Sequence, residues 1–353
     1  MRQLLAFVLI LLAVAGTAAG FVWYSIEEPF GVIPHEGIFV EIPHGISQRA
    51  AAHILEKNGI IRSAIAFEAY ARRHPKRSLQ AGEYFFDHPL PGKEVFWKLA
   101  NGEVYQQPFT VKEGDTIFDI ANNLQASHYM KAAEFLKAAN DGTQVQDFAP
   151  GAETLEGFLF PATYNLPRRA TPADLTSMMV RKFRDTLQQI APGTPLLSVI
   201  TLASLVEAET PKPEERPLVA GVYTNRLHKS MLLQCDPTVV YALKQVDKYV
   251  PPLTLKDLHY QSPYNTYVYR GLPPGPIGNP GESSIRAALA PAPTGYLYFV
   301  ANAQGGHFFA STLAEHYKNV AKYHHLLKSD SADPPVPEAH HSHAEGSAHK
   351  GKR

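Results

Sequence analysis

A single cysteine, Cys235, leaves no intrachain disulfide open to this chain of 353 residues, so packing alone must hold it. Net charge is missing as well. The 33 basic side chains balance 33 acidic ones, which leaves no electrostatic footprint for nucleic acid, and none is expected as a partner. There is no HExxH pair, P-loop, dinucleotide fingerprint or Gly-x-Ser-x-Gly elbow. Neither a cofactor nor a resident metal is therefore expected. His340, His341 and His343 could hold a transition metal loosely, but they stand in a Ser, Asp, Pro and Ala-rich stretch with no apolar period, which reads as a solvated tail.

Charge is also absent from Leu4 to Tyr24. As a helix this run would span roughly 31 Å, one bilayer core. Arg2 precedes it and Glu27 and Glu28 follow, so the short N-terminus should stay in the cytoplasm and the rest should lie outside. Thr17-Ala18-Ala19 offers small residues for signal-peptide cleavage. The apolar run continues past them through Phe21, Val22, Trp23 and Tyr24, which favours a retained anchor.

With 45% hydrophobic residues, the remainder can form two or three domains with real cores. A strand, turn and helix pattern occurs twice, at residues 39–59 and 109–124. Gly45 matches Gly114, Ser47 matches Thr116 and Leu55 matches Leu124, with Ser or Thr suited to cap the helix that follows. The second copy resembles the opening of a LysM module. Thr171-Pro172-Ala173-Asp174 repeats a cap-and-proline helix start. Residues 271–281, rich in Gly and Pro, read as a long ordered loop. Residues 296–301 and 307–311 form a hairpin, and Leu313 to Leu327 the last helix.

The most informative stretch runs from Thr194 to Pro211. Thr194 suits an N-cap, Pro195 the first helical position, and Pro211 closes the end. Its polar residues Ser198, Thr201 and Ser204 are small and scattered, so the helix should be buried all round. Yet it ends in Glu207 and Glu209. Glu207 shares a face with Ile200, Ala203 and Ser204, where an ionised carboxylate is costly unless paired, open to a cleft, or kept protonated. Two readings stay open: a structural ion pair with Arg216 or Arg226, or a proton donor of the kind glycosidic cleavage needs. Asp236 reads as an N-cap ahead of Pro237, with a second role facing the cleft also possible.

Residues 155–325 resemble the endolytic murein transglycosylase (YceG-like) family. The resemblance rests on Glu156-Gly157 with Phe160-Pro161 and Thr163-Tyr164, on residues 203–210 (ASLVEAET), and on Asn225-Arg226-Leu227. It continues through Leu233-Gln234 with Asp236-Pro237-Thr238, Tyr264-Asn265-Thr266-Tyr267, residues 271–281, residues 296–301 and Gly305-Gly306-His307. Cys235 stands where Ser or Thr is expected, Ala162 where Asp is usual, and Ala208 where Lys is common.

The resemblance implies that Glu207 is the catalytic acid/base. It also implies a peptidoglycan glycan-strand substrate, cell-wall synthases as partners, and a single-pass place in the bacterial inner membrane. Asn225, Gln234, Asp236, Tyr264, Asn265 and Tyr267 become candidates for sugar contacts. The rivals are a hydrolase with Glu156, Glu209 or Asp236 as second carboxylate, and a non-catalytic glycan-binding anchor.

The fold class expected is α+β: an N-terminal membrane helix, a LysM-like α+β region, then a mixed α/β catalytic domain. The expected boundaries are 1–3 cytoplasmic, 4–24 anchor, 25–150 LysM-like, 151–327 catalytic and 328–353 disordered tail.

Overall fold

A computed structural model gives the structure of residues 2–190 and 196–330. The proposed cap at Thr194, Pro195 and the tail from residue 331 onward lie outside the described residues; residues 328–330, expected in that tail, continue the last helix to Asp330. In chain order the elements are α1 (Arg2–Glu27), β1 (Pro29–Phe30), β2 (Ile38–Ile42), α2 (Gln48–Lys57), α3 (Ala64–Arg72), β3 (Gly82–Phe86) and β4 (Leu90–Pro91). There follow α4 (Gly92–Ala100), β5 (Gln107–Thr110), α5 (Ile117–Ala126), α6 (Ala132–Ala139), β6 (Thr163–Leu166), α7 (Pro172–Ile190) and α8 (Leu197–Glu209). The chain closes with α9 (Arg216–His228), α10 (Asp236–Lys244), α11 (Glu282–Leu289), β7 (Tyr298–Ala301), β8 (His307–Ala310) and α12 (Leu313–Asp330).

The chain packs as two compact units that interleave in sequence. Of the described residues, one takes those up to 112, 123–138 and 162–178; the other takes 113–122, 139–161 and those from 179 onward. The sequence suggests a single boundary near residue 150. Instead, the turn after β5 and the start of α5 belong with the second unit.

In the first unit, α1 is long and apolar enough to cross a membrane. It runs past Tyr24 to Glu27, and its last turn is folded in: Ser25 and Ile26 are buried, and Arg62 lies over the Tyr24 ring at 4.4 Å. The strand, turn and helix pattern extends into a strand, two helices and a closing strand. In the first copy β2 pairs antiparallel with β3, with Ile38 opposite Phe86 and Ile42 opposite Gly82. Alternation puts Val40 and Ile42 inward and Glu41 outward. Ser47 caps α2 by accepting from Ala50 N–H at 3.2 Å, and Ala51, Ala52 and Leu55 turn inward onto Phe67, Tyr84 and Phe96. In the second copy β5 pairs antiparallel with β6, with α5 and α6 between them in the chain.

The second unit is built on α8. Every residue from Ile200 to Val206 is buried, as expected of a helix with no solvent face. The helices α9, α10 and α11 pack against it. All four sheets among the described residues are two-stranded, and the only strands of this unit are the hairpin β7–β8. The α+β class holds, but the mixed α/β expectation for the catalytic region gives way to a helical unit with one hairpin. The connections between its helices are proline-rich loops rather than the apolar strands a parallel sheet would need.

Candidate active site

The loop at residues 271–281 is the piece that builds the site, and contacts to α8, to residues 156–159 and to Asp115 hold it in place. Ser204 donates to the Thr201 carbonyl at 2.8 Å and accepts the Ile277 N–H at 3.0 Å. Gly157 sits at φ +88 under Pro276, where an added Cβ would come within 2.4 Å of the ring. Asn279, fully buried, accepts from Leu159 N–H at 2.9 Å and donates to the Asp115 carbonyl at 2.8 Å and to Glu156 at 3.1 Å. The Asn279 carbonyl in turn accepts Gly114 N–H at 2.8 Å. The turn at residues 113–116 is thereby stitched to the end of the loop. That turn sits inside the second strand-turn-helix copy, whose helix start is tied by Thr116 and Asp119 capping each other at 3.0 and 3.1 Å.

Glu207 lies where these pieces meet. Its Oε2 accepts Gly281 N–H at 2.9 Å and its Oε1 accepts an Arg216 guanidinium N–H at 2.6 Å. The side chains of Arg216 and Glu207 are 5% and 6% exposed, so the pair is nearly dry. Of the two arginines considered, Arg226 is excluded as partner. It donates to the carbonyls of Leu297 and Leu233 at 2.6 and 2.8 Å.

A third charged group is Glu113, half exposed and 3.5 Å from the same Arg216 nitrogen. Burial pushes the Glu207 carboxyl above the ordinary glutamate range. The Gly281 N–H and Arg216 pull the other way, and the Glu113 charge adds to the rise. Ser284 on α11 turns its hydroxyl toward the same carboxylate. Its Oγ and the Arg216 Nε are buried without a hydrogen-bond partner among the described residues. Beside Gly114 and Ala208 opens a cleft of about 300 Å³ lined also by Asp119, Asp236, Tyr241 and Lys244. Gly114 lies against the Glu207 side chain, where an added Cβ would be 3.6 Å from its Cγ.

Glu209 faces elsewhere, as two residues on a helix must. It accepts the Tyr223 hydroxyl at 2.6 Å, is pushed up by burial, and has the Cys235 thiol beside it. Cys235 is itself fully buried and its thiol is pushed well up by burial. So buried, the thiol is sealed from solvent, and burial disfavours its thiolate.

The six candidate sugar contacts separate into three groups. Gln234, Asp236 and Tyr267 come together, with Glu209 and His307, around a second cleft of about 400 Å³. Asp236 lines both clefts. Gln234 is exposed at φ +50, a left-handed conformation that a non-glycine residue rarely adopts. Asp236 is the first residue of α10 rather than its cap. The Cys235 position caps without a side-chain bond, and the Asp236 carboxylate accepts the Tyr267 hydroxyl.

Tyr264 packs on Tyr241 with centroids 5.0 Å apart and lines a different cleft with Ser262 and Pro274. Asn225 and Asn265 are clamps. Asn225 donates to the Thr294 and Tyr296 carbonyls at 2.7 and 2.9 Å. Asn265 donates to Leu258 and Tyr260 carbonyls at 3.0 and 2.7 Å and accepts Tyr267 N–H at 2.9 Å.

Sequence reasoning missed Glu113, Gly281 and Ser284. Glu113 had a signal: the two copies align Gly45 with Gly114, which sets His44 against Glu113. Only the second copy carries a carboxylate at its turn.

A nearly dry carboxyl on a buried helix, raised above its ordinary range by burial, has the character a general acid/base needs. The YceG-like family matches residues 40–322, and the chain belongs to it. An endolytic murein transglycosylase of Bacillus subtilis (strain 168) is 34% identical over 320 residues, covering 85% of this chain and 88% of the relative. An endolytic murein transglycosylase of Streptococcus pneumoniae (strain D39) is 28% identical over 320 residues; 81% of this chain is covered, and 58% of that relative's length. The crystal structure of a YceG-like protein from Listeria monocytogenes is similar at a TM-score of 0.52 and 33% identity, over 81% of this chain and 99% of that one.

Proposed function

We propose that this protein is a membrane-anchored endolytic lytic transglycosylase. Its substrate is the β-1,4 bond from N-acetylmuramic acid to N-acetylglucosamine in nascent peptidoglycan, and its products carry 1,6-anhydro ends. The observation that carries the reading is Glu207: nearly dry, raised by burial, and held at both oxygens by Arg216 and Gly281. Protonated Glu207 gives its proton to the bridging oxygen as the muramyl C1–O bond breaks. The resulting carboxylate takes the proton of the muramyl 6-hydroxyl, whose oxygen closes on C1. One carboxyl serves both transfers, and no water enters. The Gly281 N–H and Arg216 steady the carboxylate between the two steps.

Gln234, Asp236 and Tyr267 are the sugar contacts retained in this reading, because they line a cleft that shares Asp236 with the one beside Gly114 and Ala208. Asn225 and Asn265 fix loops. The LysM-like region, with its two strand-helix-helix-strand copies, is read as the glycan-recognition part. Anchored by α1 with the site outside the cytoplasm, the enzyme would cut strands as synthases extrude them and so end their elongation.

The first rate constant depends on Glu207 being protonated, so cleavage is expected to fall as pH rises through its raised pKa. Glu207→Gln keeps volume and should abolish cleavage by roughly 10²–10⁴. Glu209→Gln, whose carboxyl faces Tyr223, should keep most of it. Near wild-type cleavage by folded Glu207→Gln would sink the proposal.

A further inference from the structure

Glu113 is a carboxylate that neither the sequence resemblance nor the mechanism above uses, yet it faces the catalytic acid. One nitrogen of Arg216 lies 2.6 Å from Glu207 Oε1 and 3.5 Å from Glu113 Oε2, so a single guanidinium is shared between two carboxylates. The Glu113 side chain is 51% exposed, against 6% for Glu207. The outer carboxylate is wetted and the inner one is nearly dry.

The position is built rather than incidental. Glu113 opens the turn that Gly114 N–H ties to the Asn279 carbonyl at 2.8 Å. Its carboxylate lies flat against the Cα of Gly281, where an added Cβ would fall 2.0 Å from Glu113 Oε1. Gly281 has an ordinary φ of −74°, so glycine stands there for space and not for conformation. The same glycine gives its N–H to Glu207. In the first copy of the strand-turn-helix pattern, the matching turn carries His44 and lies in the other unit.

We propose that Glu113 is the positioning residue for Glu207: it draws Arg216 away from full pairing with the acid and sets a second negative charge beside it. Proton donation thereby stays open to Glu207 in spite of its arginine. Without the outer carboxylate, Arg216 would pair with Glu207 alone and hold it as the anion, useless as a donor. The Glu113 charge is among the influences that raise the Glu207 carboxyl, behind burial.

The other charged groups near α8 have partners of their own. Ahead of α9, Glu215 pairs with His307, and on α9 Arg226 donates to the Leu297 and Leu233 carbonyls. On α11, Arg286 pairs with Glu282. On α10, Asp236 takes the Tyr267 hydroxyl and Lys244 pairs with Asp119. On α8 itself, Glu209 is bound by Tyr223. Arg216 and Glu113 are thus the charges that bear directly on Glu207.

The inference rests on the reading of Glu207 as the acid, and the test separates the two. Wild type, Glu113→Gln, Glu113→Asp and Glu207→Gln, each as the full chain in detergent or nanodiscs, are assayed on peptidoglycan across pH. If Glu113 positions the acid, Glu113→Gln moves the alkaline limb of kcat/KM to lower pH by about half to one unit, the size of one close, partly screened charge. Glu113→Asp, which keeps the charge, restores the limb. A uniform fall in rate with the limb unmoved, in a folded Glu113→Gln protein, overturns the positioning role while leaving Glu207 as the acid. Cleavage that survives in Glu207→Gln overturns the reading beneath it. Loss of both the rate and the anhydro ends in Glu113→Gln, with reducing ends from the wild type, makes Glu113 the second carboxylate of a hydrolase and also overturns the proposal.

Discussion

Replacing Glu156 by Gln tests whether the scaffold under the site is as dry as its geometry requires. Glu156 is 1% exposed and accepts Ile117 N–H on both oxygens at 3.2 and 3.1 Å, with Asn279 on Oε1 at 3.1 Å. Burial pushes its carboxyl from 4.5 up to about 8, against the opposing Ile117 N–H and Tyr241 hydroxyl. Between those values the folded chain keeps a proton that the unfolded chain has released. The stability this supplies is present below the ordinary pKa and is lost as pH rises through about 8. Each unit of pH across that window costs up to about 1.4 kcal/mol, and the whole window on the order of 5 kcal/mol.

Glutamine carries no charge at any pH, but its amide meets donors, which should cost about 1–3 kcal/mol at low pH. The measurement is urea unfolding of wild type and Glu156→Gln from about pH 5 to about pH 9. Glu207 and Glu209 are raised in the same direction, so the difference between the two proteins isolates Glu156. The variant should begin less stable and overtake the wild type as pH rises. A difference that stays constant across the range would refute the reasoning.

Gly157→Ala should destabilise through a left-handed residue, about 1–2 kcal/mol, and through overpacking on Pro276 and Ile200, about 1–3 kcal/mol. Thermal melting should show that loss, and cleavage should fall further, because the displaced loop carries the Gly281 N–H. Asn265→Ala strands part-buried carbonyls and should cost roughly 1–3 kcal/mol with KM unchanged, whereas exposed Gln234→Ala should raise KM and leave the melt in place.

Local signals in the sequence carried a long way. Ser47 caps α2, and Thr171 and Asp174 cap each other at 3.0 and 3.2 Å ahead of α7, because a side-chain oxygen near free amides needs only its own neighbours. The buried character of α8 was legible for the same reason, and with it the anomaly of Glu207. Tertiary address was not legible. Nothing within residues 113–116 says that the turn leaves its own strand for Asn279, more than 160 residues on in the case of Asp115. Asp236 looked like a cap because Pro237 follows it; a tyrosine 31 residues away took its carboxylate instead. Asn225 and Asn265 stood among aromatics as if for sugars. Proline-rich loops leave carbonyls without partners, and those amides serve them.

The most direct test of a single carboxyl serving both transfers is to digest peptidoglycan in heavy-oxygen water and weigh the muramyl ends. The account predicts anhydro ends, one water lighter than reducing ends and free of the label, formed by wild type and lost in Glu207→Gln. Reducing ends carrying the heavy oxygen would mean that water attacks, and would contradict it.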